Sequence, residues 1–248
     1  MMKAWLRYPY TIFVLLVFLA TLIIALPLFL LCILLPVSIR AKALHAFFKT
    51  WSYLFFTLIG NRIKIIGKSK INPNKRYVVV ANHQSFLDIP MIFATLPFYV
   101  KPLARSDYGK IPFFGFIYRN ATVPVDRASL SSKRESYKKM LEVMEKEHTN
   151  IFIFPEGSFN ETEEILKPFF DGAFRIAKET ETEILPLLFP DTSKRWHYSS
   201  FWSWSPGISR SFVFDPIPIE TINNLSTKDL NNFVFEKLNK AYTQILKD

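Results

Sequence analysis

Hydrophobic and polar positions divide the chain into two regions with different periods. Residues 10–39 carry no charged side chain, and only Thr11, Thr21, Pro27, Pro36 and Ser38 break the apolar run. A continuous helix of that length would extend roughly 45 Å, against a bilayer hydrocarbon core of about 30 Å. Residues 41–60 read as another helix. Lys42, His45, Lys49 and Ser52 fall at steps of three and four and form one narrow polar stripe, while Phe47, Phe48, Trp51, Tyr53, Leu54 and Phe55 cover the rest. So narrow a stripe predicts a helix lying partly in the bilayer surface, or one buried against a globular domain.

Beyond Gly60 the period shortens. Residues 62–66 alternate polar and apolar as a half-exposed strand does, and 77–81 form the unbroken β-branched run of a buried strand. Further strands are expected at 98–103, 122–125, 151–154, 184–189 and 212–214. Helices are expected between most of them, at 88–96, 112–119, 131–147, 172–180 and 227–246. This alternation predicts an α/β fold, with a mainly parallel central sheet flanked by helices and an N-terminal membrane-associating helical segment. The expected division is a membrane-associating segment at 1–60 and a catalytic domain at 61–248.

Charge sharpens the division. Residues 1–87 hold 11 Lys and Arg and no acid, whereas the remaining 20 basic and 21 acidic side chains nearly cancel. The net charge of +10 therefore belongs to the first third, which a uniformly basic nucleic-acid-binding domain would not show. Lys3 and Arg7 precede the apolar run, and Arg40, Lys42 and Lys49 follow it. A re-entrant hairpin bent near Pro27 keeps both clusters on the cytoplasmic face; a tilted single span puts one of them across the membrane. A signal peptide does not fit, because its apolar stretch is about half as long. The 196–204 stretch (W-H-Y-S-S-F-W-S-W) holds three of the five Trp and reads as a second aromatic anchor at headgroup level, or as a loop over the core. The one cysteine, Cys32, excludes an internal disulfide framework and a Cys-based zinc site.

The chemistry narrows by elimination. The sequence has no G-x-S-x-G elbow and no G-x-G-x-x-G, and Gly67-Lys68-Ser69 lacks the upstream glycine of a phosphate loop, where Arg62 stands. His45, His83, His148 and His197 have no second His or Cys at metal-ligand spacing, so no metal is expected. What remains is Asn82-His83-Gln84-Ser85-Phe86-Leu87-Asp88, directly after the buried strand at 77–81. Histidine is the usual general base near neutral pH, and a carboxylate five residues on can fold back to fix its tautomer. Asp88 before Ile89-Pro90 also reads as a helix N-cap. The first N–H groups of that helix are candidate oxyanion donors. Phe154-Pro155-Glu156-Gly157-Ser158 follows another buried strand at its carboxyl end, where open α/β sheets bind ligands. Val123-Pro124-Val125-Asp126-Arg127 ends a third strand on an Arg suited to an anion.

In this order and spacing the blocks resemble the glycerolipid acyltransferase family, typified by 1-acylglycerol-3-phosphate acyltransferases. That family carries N-H-x-x-x-x-D, a block ending in Arg, F-P-E-G, and an apolar block with a central Pro, here Ile184–Leu187. The segments 110–115 (K-I-P-F-F-G) and 169–177 (F-F-D-G-A-F-R-I-A) are also similar to family sequence. The resemblance spans about residues 60–215. It implies a membrane-bound enzyme at the cytoplasmic face that moves a fatty acyl group from acyl-CoA or acyl carrier protein to a lysophospholipid hydroxyl, converting 1-acylglycerol 3-phosphate to phosphatidate. It implies His83 and Asp88 as catalytic residues, and Asn82, Arg127, Glu156, Gly157 and Ser158 as substrate-binding ones. The thioester is a co-substrate, so no cofactor is implied; the partners are membrane lipids, and nucleic acid is not one of them. The chain departs from the family pattern at Phe159 and Phe170, where a basic residue is usual. Both losses leave the reaction type intact and open the acceptor to another lysophospholipid. An esterase or thioesterase, or a non-enzymatic lipid-binding protein, is the competing reading.

Overall fold

Tyr77–Ala81 is buried along its whole length because a sheet strand here is covered on both faces. The computed structural model describes residues 4–111, 114–125 and 130–247. Among them, seven strands form one sheet: β1 (Asn61–Ile66), β2 (Tyr77–Ala81), β3 (Val100–Arg105), β4 (Val123–Val125), β5 (Asn150–Ile153), β6 (Glu183–Leu188) and β7 (Gly207–Val213). Their order is β1-β7-β6-β2-β5-β3-β4, and every neighbouring pair is parallel except β6 and β7. The helices are α1 (Ala4–Leu34), α2 (Val37–Leu58), α3 (Asp88–Thr95), α4 (Phe114–Ala121), α5 (Leu130–Lys146), α6 (Gly172–Glu179), α7 (Thr192–Arg195), α8 (Ile219–Asn224) and α9 (Thr227–Lys247). Alternation along β2 splits the core. Tyr77, Val79 and Ala81 join Phe56, Met91 and Ile92 of α2 and α3, whereas Val78 and Val80 join Met144, Phe174 and Leu238 of α5, α6 and α9.

The apolar front end folds as two helices, and the bend is not at Pro27. Pro9 and Pro27 both lie inside α1, and the chain turns at Leu35-Pro36. Proline cannot continue a helix from the preceding turn without losing a hydrogen bond, but it fits the start of the next one, as Pro36 does for α2. Val14, Thr21, Ala25 and Phe29 form the buried stripe of α1, at helical spacing. Phe18 meets Trp51 and Phe55 edge-on, and Phe29 packs against Phe47 and Phe48 of α2 and Phe116 of α4. At the other end Tyr10 donates its hydroxyl to the Ile59 carbonyl. The opposite stripe leaves Ile12, Leu16, Ile23, Ile24, Leu31 and Leu34 exposed.

The second half of the polar stripe of α2, Lys49 and Ser52, turns toward the domain, while Lys42 stays exposed. Lys49 Nζ donates to the Leu96 carbonyl at 3.3 Å, Tyr53 donates to that of Ala94 at 3.3 Å, and Ser52 is fully buried. The last carbonyls of a helix have no partner within it, and α2 supplies them to α3. Phe48 stacks on Phe93 at 4.6 Å, so the membrane-type segment and the helix carrying Asp88 are one packed unit. Basic residues beyond Gly60 also divide. Lys70 pairs with Asp215 at 2.8 Å, Lys75 with Glu183 at 2.5 Å, and Arg76 donates to the Met144 carbonyl, so these three serve the fold. In the 196–204 loop, Trp196 and Trp204 stack at 4.2 Å, with Trp204 buried. Trp202 stays exposed and lies 5.3 Å from Tyr8 of α1.

Candidate active site

The carboxyl ends of β2, β5 and β6 deliver Asn82-His83, Phe154–Gly157 and Phe189 to one edge of the sheet. His83 Nδ1 lies 2.9 Å from Asp88 Oδ2. That same oxygen accepts the backbone N–H groups of Gln84 at 2.8 Å and Ser85 at 2.9 Å. An oxygen that accepts two backbone donors acts as an acceptor toward the ring as well, so the shared proton sits on Nδ1 and the lone pair on Nε2. The imidazole stacks on Phe154 at 3.7 Å and meets Phe159 at 4.2 Å, leaving 16% of its side chain accessible. The ring is thus fixed in tautomer by one edge and in plane by its faces.

Asp88 is the first residue of α3 and not its N-cap; Leu87 holds that position without a side-chain cap. The Asp88 carboxylate is turned back toward the preceding turn, which explains why it is fully buried. The first N–H groups of α3 are not open to an oxyanion. Asp88, Ile89 and Met91 donate to the carbonyls of Ser85, Phe86 and Leu87, and Pro90 has no N–H.

Two residues expected to touch substrate instead brace the site. Asn82 is fully buried, accepting the Phe189 N–H at 2.7 Å and donating to the Phe189 carbonyl at 3.2 Å. Both ends of its amide thus tie β2 to β6. Glu156 is also fully buried, and its two oxygens accept the backbone N–H groups of His83 at 2.7 Å and Lys167 at 3.0 Å. Burial pushes its carboxyl up to about 7, against the pull of the two donors. Gly157 has φ +74°, and an added Cβ would stand 2.7 Å from the Phe170 ring. The close approach its missing side chain permits here is that of the Phe170 ring. Ser158 Oγ accepts from Lys167 Nζ at 2.7 Å. Arg127 lies outside the described residues.

Other side-chain contacts that no local pattern announces support the site. Ser85 Oγ donates to the Trp196 carbonyl at 2.6 Å, and Gln84 Oε1 accepts from Ser193 at 3.1 Å and Tyr242 at 2.9 Å. Tyr242 stands 158 positions from Gln84, so no local pattern links them. Lys167 follows a run of acids, Glu161, Glu163 and Glu164, and reads as one more solvated charge.

A histidine held by a buried carboxylate at the carboxyl edge of a mainly parallel α/β sheet is an arrangement that can activate a hydroxyl or water. Residues 62–189 match the family model described as Acyltransferase, and the chain belongs to that family. It is 28% identical over 193 residues to the 1-acyl-sn-glycerol-3-phosphate acyltransferase of Saccharomyces cerevisiae, a match covering 77% of this chain and 62% of that protein. It is 31% identical over 144 residues to the enzyme of the same name from Cocos nucifera, covering 58% and 46%. The chain thus spans about half to three-fifths of these relatives. The crystal structure of the acyltransferase PlsC from Thermotoga maritima superposes with a TM-score of 0.83 over 99% of both chains at 20% identity, which establishes the fold.

Proposed function

We propose that the protein transfers a fatty acyl group from a thioester, acyl-CoA or acyl carrier protein, to the free hydroxyl of 1-acylglycerol 3-phosphate, giving phosphatidate. The observation that carries this reading is the His83–Asp88 pair, with Nδ1 bound to the carboxylate and Nε2 left without a partner among the described residues. His83 Nε2 takes the hydroxyl proton as the oxygen attacks the thioester carbon. The C–O bond forms, the C–S bond breaks, and the proton passes from Nε2 to the departing thiolate. Asp88 holds the tautomer and stabilises the imidazolium between the two transfers. No enzyme nucleophile is needed, which agrees with the missing serine elbow. The names of the curated relatives support the acceptor.

We further propose that α1 and α2 lie along the cytoplasmic surface of the membrane. Tyr10, near the start of α1, bonds the residue that ends α2, and Phe29, near its other end, touches α4. A helix upright in the bilayer with both ends on one domain would drag that domain into the hydrocarbon. Lying flat, α1 turns its exposed apolar stripe to the lipid and brings Trp5, Tyr8 and Trp202 to headgroup level.

With acyl-CoA or acyl carrier protein supplied, 1-acylglycerol 3-phosphate should release one thiol per phosphatidate formed. Free fatty acid as the main product in the presence of acceptor would replace this reading with the esterase one. Adding anionic vesicles should shift Trp fluorescence to the blue, and Trp5→Phe with Trp202→Phe should remove most of the shift. Unchanged emission in the parent protein would count against the surface-lying arrangement.

A further inference from the structure

We infer that Lys167, together with the Ser158 hydroxyl, receives the phosphate of the acceptor and selects for it; this rests on the acyl-transfer reading above. The Glu156 carboxylate accepts the N–H of His83 on one oxygen and that of Lys167 on the other. The backbones of the two residues are therefore held on the two oxygens of a single buried carboxylate, and the ammonium is placed by its bond to Ser158.

The state of that ammonium points to an anionic ligand. Lys167 is half-buried, and its Nζ donates to Ser158 Oγ at 2.7 Å. Among the described residues no carboxylate stands within ion-pair distance of it. Elsewhere cations fixed by the fold face acids or carbonyls: Lys70 and Asp215, Lys75 and Glu183, Arg210 and Asp191, Lys178 and the Ile222 carbonyl. A cation that gives up water while bonded only to a neutral hydroxyl keeps donors for an incoming oxyanion, and a charge-assisted bond there is stronger than a neutral one. Ser158 adds a hydroxyl that can turn to donate.

Aromatic side chains occupy the two neighbouring positions where a basic residue is usual for the family. Phe159 lies on His83, with Phe86 at 4.8 Å and Tyr198 at 5.3 Å, and the Phe170 ring covers Gly157. Neither can bind phosphate. Lys167 restores one positive charge beside the F-P-E-G-S block from a different place in the chain.

The test compares Lys167→Met, which keeps the stem, with Lys167→Arg, which keeps the charge. For 1-acylglycerol 3-phosphate, Lys167→Met should raise KM at least about ten-fold, with kcat and the thioester KM changed less than about two-fold. Lys167→Arg should recover most of the loss. The preference for this acceptor over phosphate-free monoacylglycerol should fall in Lys167→Met by about the same ten-fold factor. An unchanged KM, or an equal loss with both acceptors, overturns the assignment. Binding of glycerol 3-phosphate, read as a saturable rise in Tm, is independent of turnover. It should be present in the parent and absent in Lys167→Met, and an equal rise in both overturns the assignment even if the parent fails to acylate any acceptor.

Discussion

His83→Ala is expected to lower acyl transfer by ~10³-fold, the range that loss of a general base produces. The ring contributes its Nε2 lone pair to the reaction and its Nδ1–H to Asp88. Alanine removes both. It also leaves the Asp88 carboxylate with its two backbone donors from Gln84 and Ser85, so the turn into α3 retains its anchors and the fold survives. Thiol release with 1-acylglycerol 3-phosphate should fall to near background, while vesicle co-sedimentation and Tm stay close to those of the parent. Turnover within about ten-fold of the parent would remove His83 from the mechanism.

Glu156→Gln is expected to cost about 10- to 100-fold in activity, although it changes one atom. Both carboxylate oxygens face N–H donors, from His83 and from Lys167. Glutamine offers one acceptor and one N–H₂ group, so one buried donor must face another donor. Leaving such a group unsatisfied costs about 1–3 kcal/mol, and here the strain falls on the backbone of the base itself. The same residue gives a pH signature. Its folded carboxyl titrates near 7, above the ordinary value of 4.5, so between the two the folded chain holds more protons than the unfolded one. This contribution to stability is full below about 4.5 and is lost as pH rises through about 7. Glutamine does not titrate. The gap in unfolding free energy between parent and Glu156→Gln, measured by urea denaturation, should therefore narrow as pH rises across that window. A gap constant from pH 4.5 to 7 would show that Glu156 is not held protonated by burial.

The elements that follow a single period were legible in the sequence. The β2 run is apolar throughout because both its faces are covered, and the spacing of His83 and Asp88 closes within one turn, so their pairing needs no distant contact. Only the end of β7 carries a strand pattern in the sequence. Ser209 and Ser211 occupy its inward positions, fully buried, so the apolar alternation that marks a strand is absent there. The direction of β7 against β6 was not legible either, because alternating strands and helices imply parallel neighbours and β7 enters after a loop and one short helical turn. For the front end, composition gave the apolar length, but Pro27 was a false signal. A proline can sit within a helix, as Pro9 and Pro27 do in α1, and it is Pro36, at the start of α2, that stands at the turn.

The sequence by itself determined the apolar foot, the α/β alternation, the pairing of His83 with Asp88, and the order of the motif blocks. Each of these is written over a few residues, within the reach of local geometry. The tertiary structure alone decided that Asn82 ties β2 to Phe189, that Tyr242 supports Gln84, and that Glu156 holds the backbones of both His83 and Lys167. These contacts join residues 107, 73, 158 and 11 positions apart. Strand order and buried donors bring them together, and no local pattern of side chains specifies either.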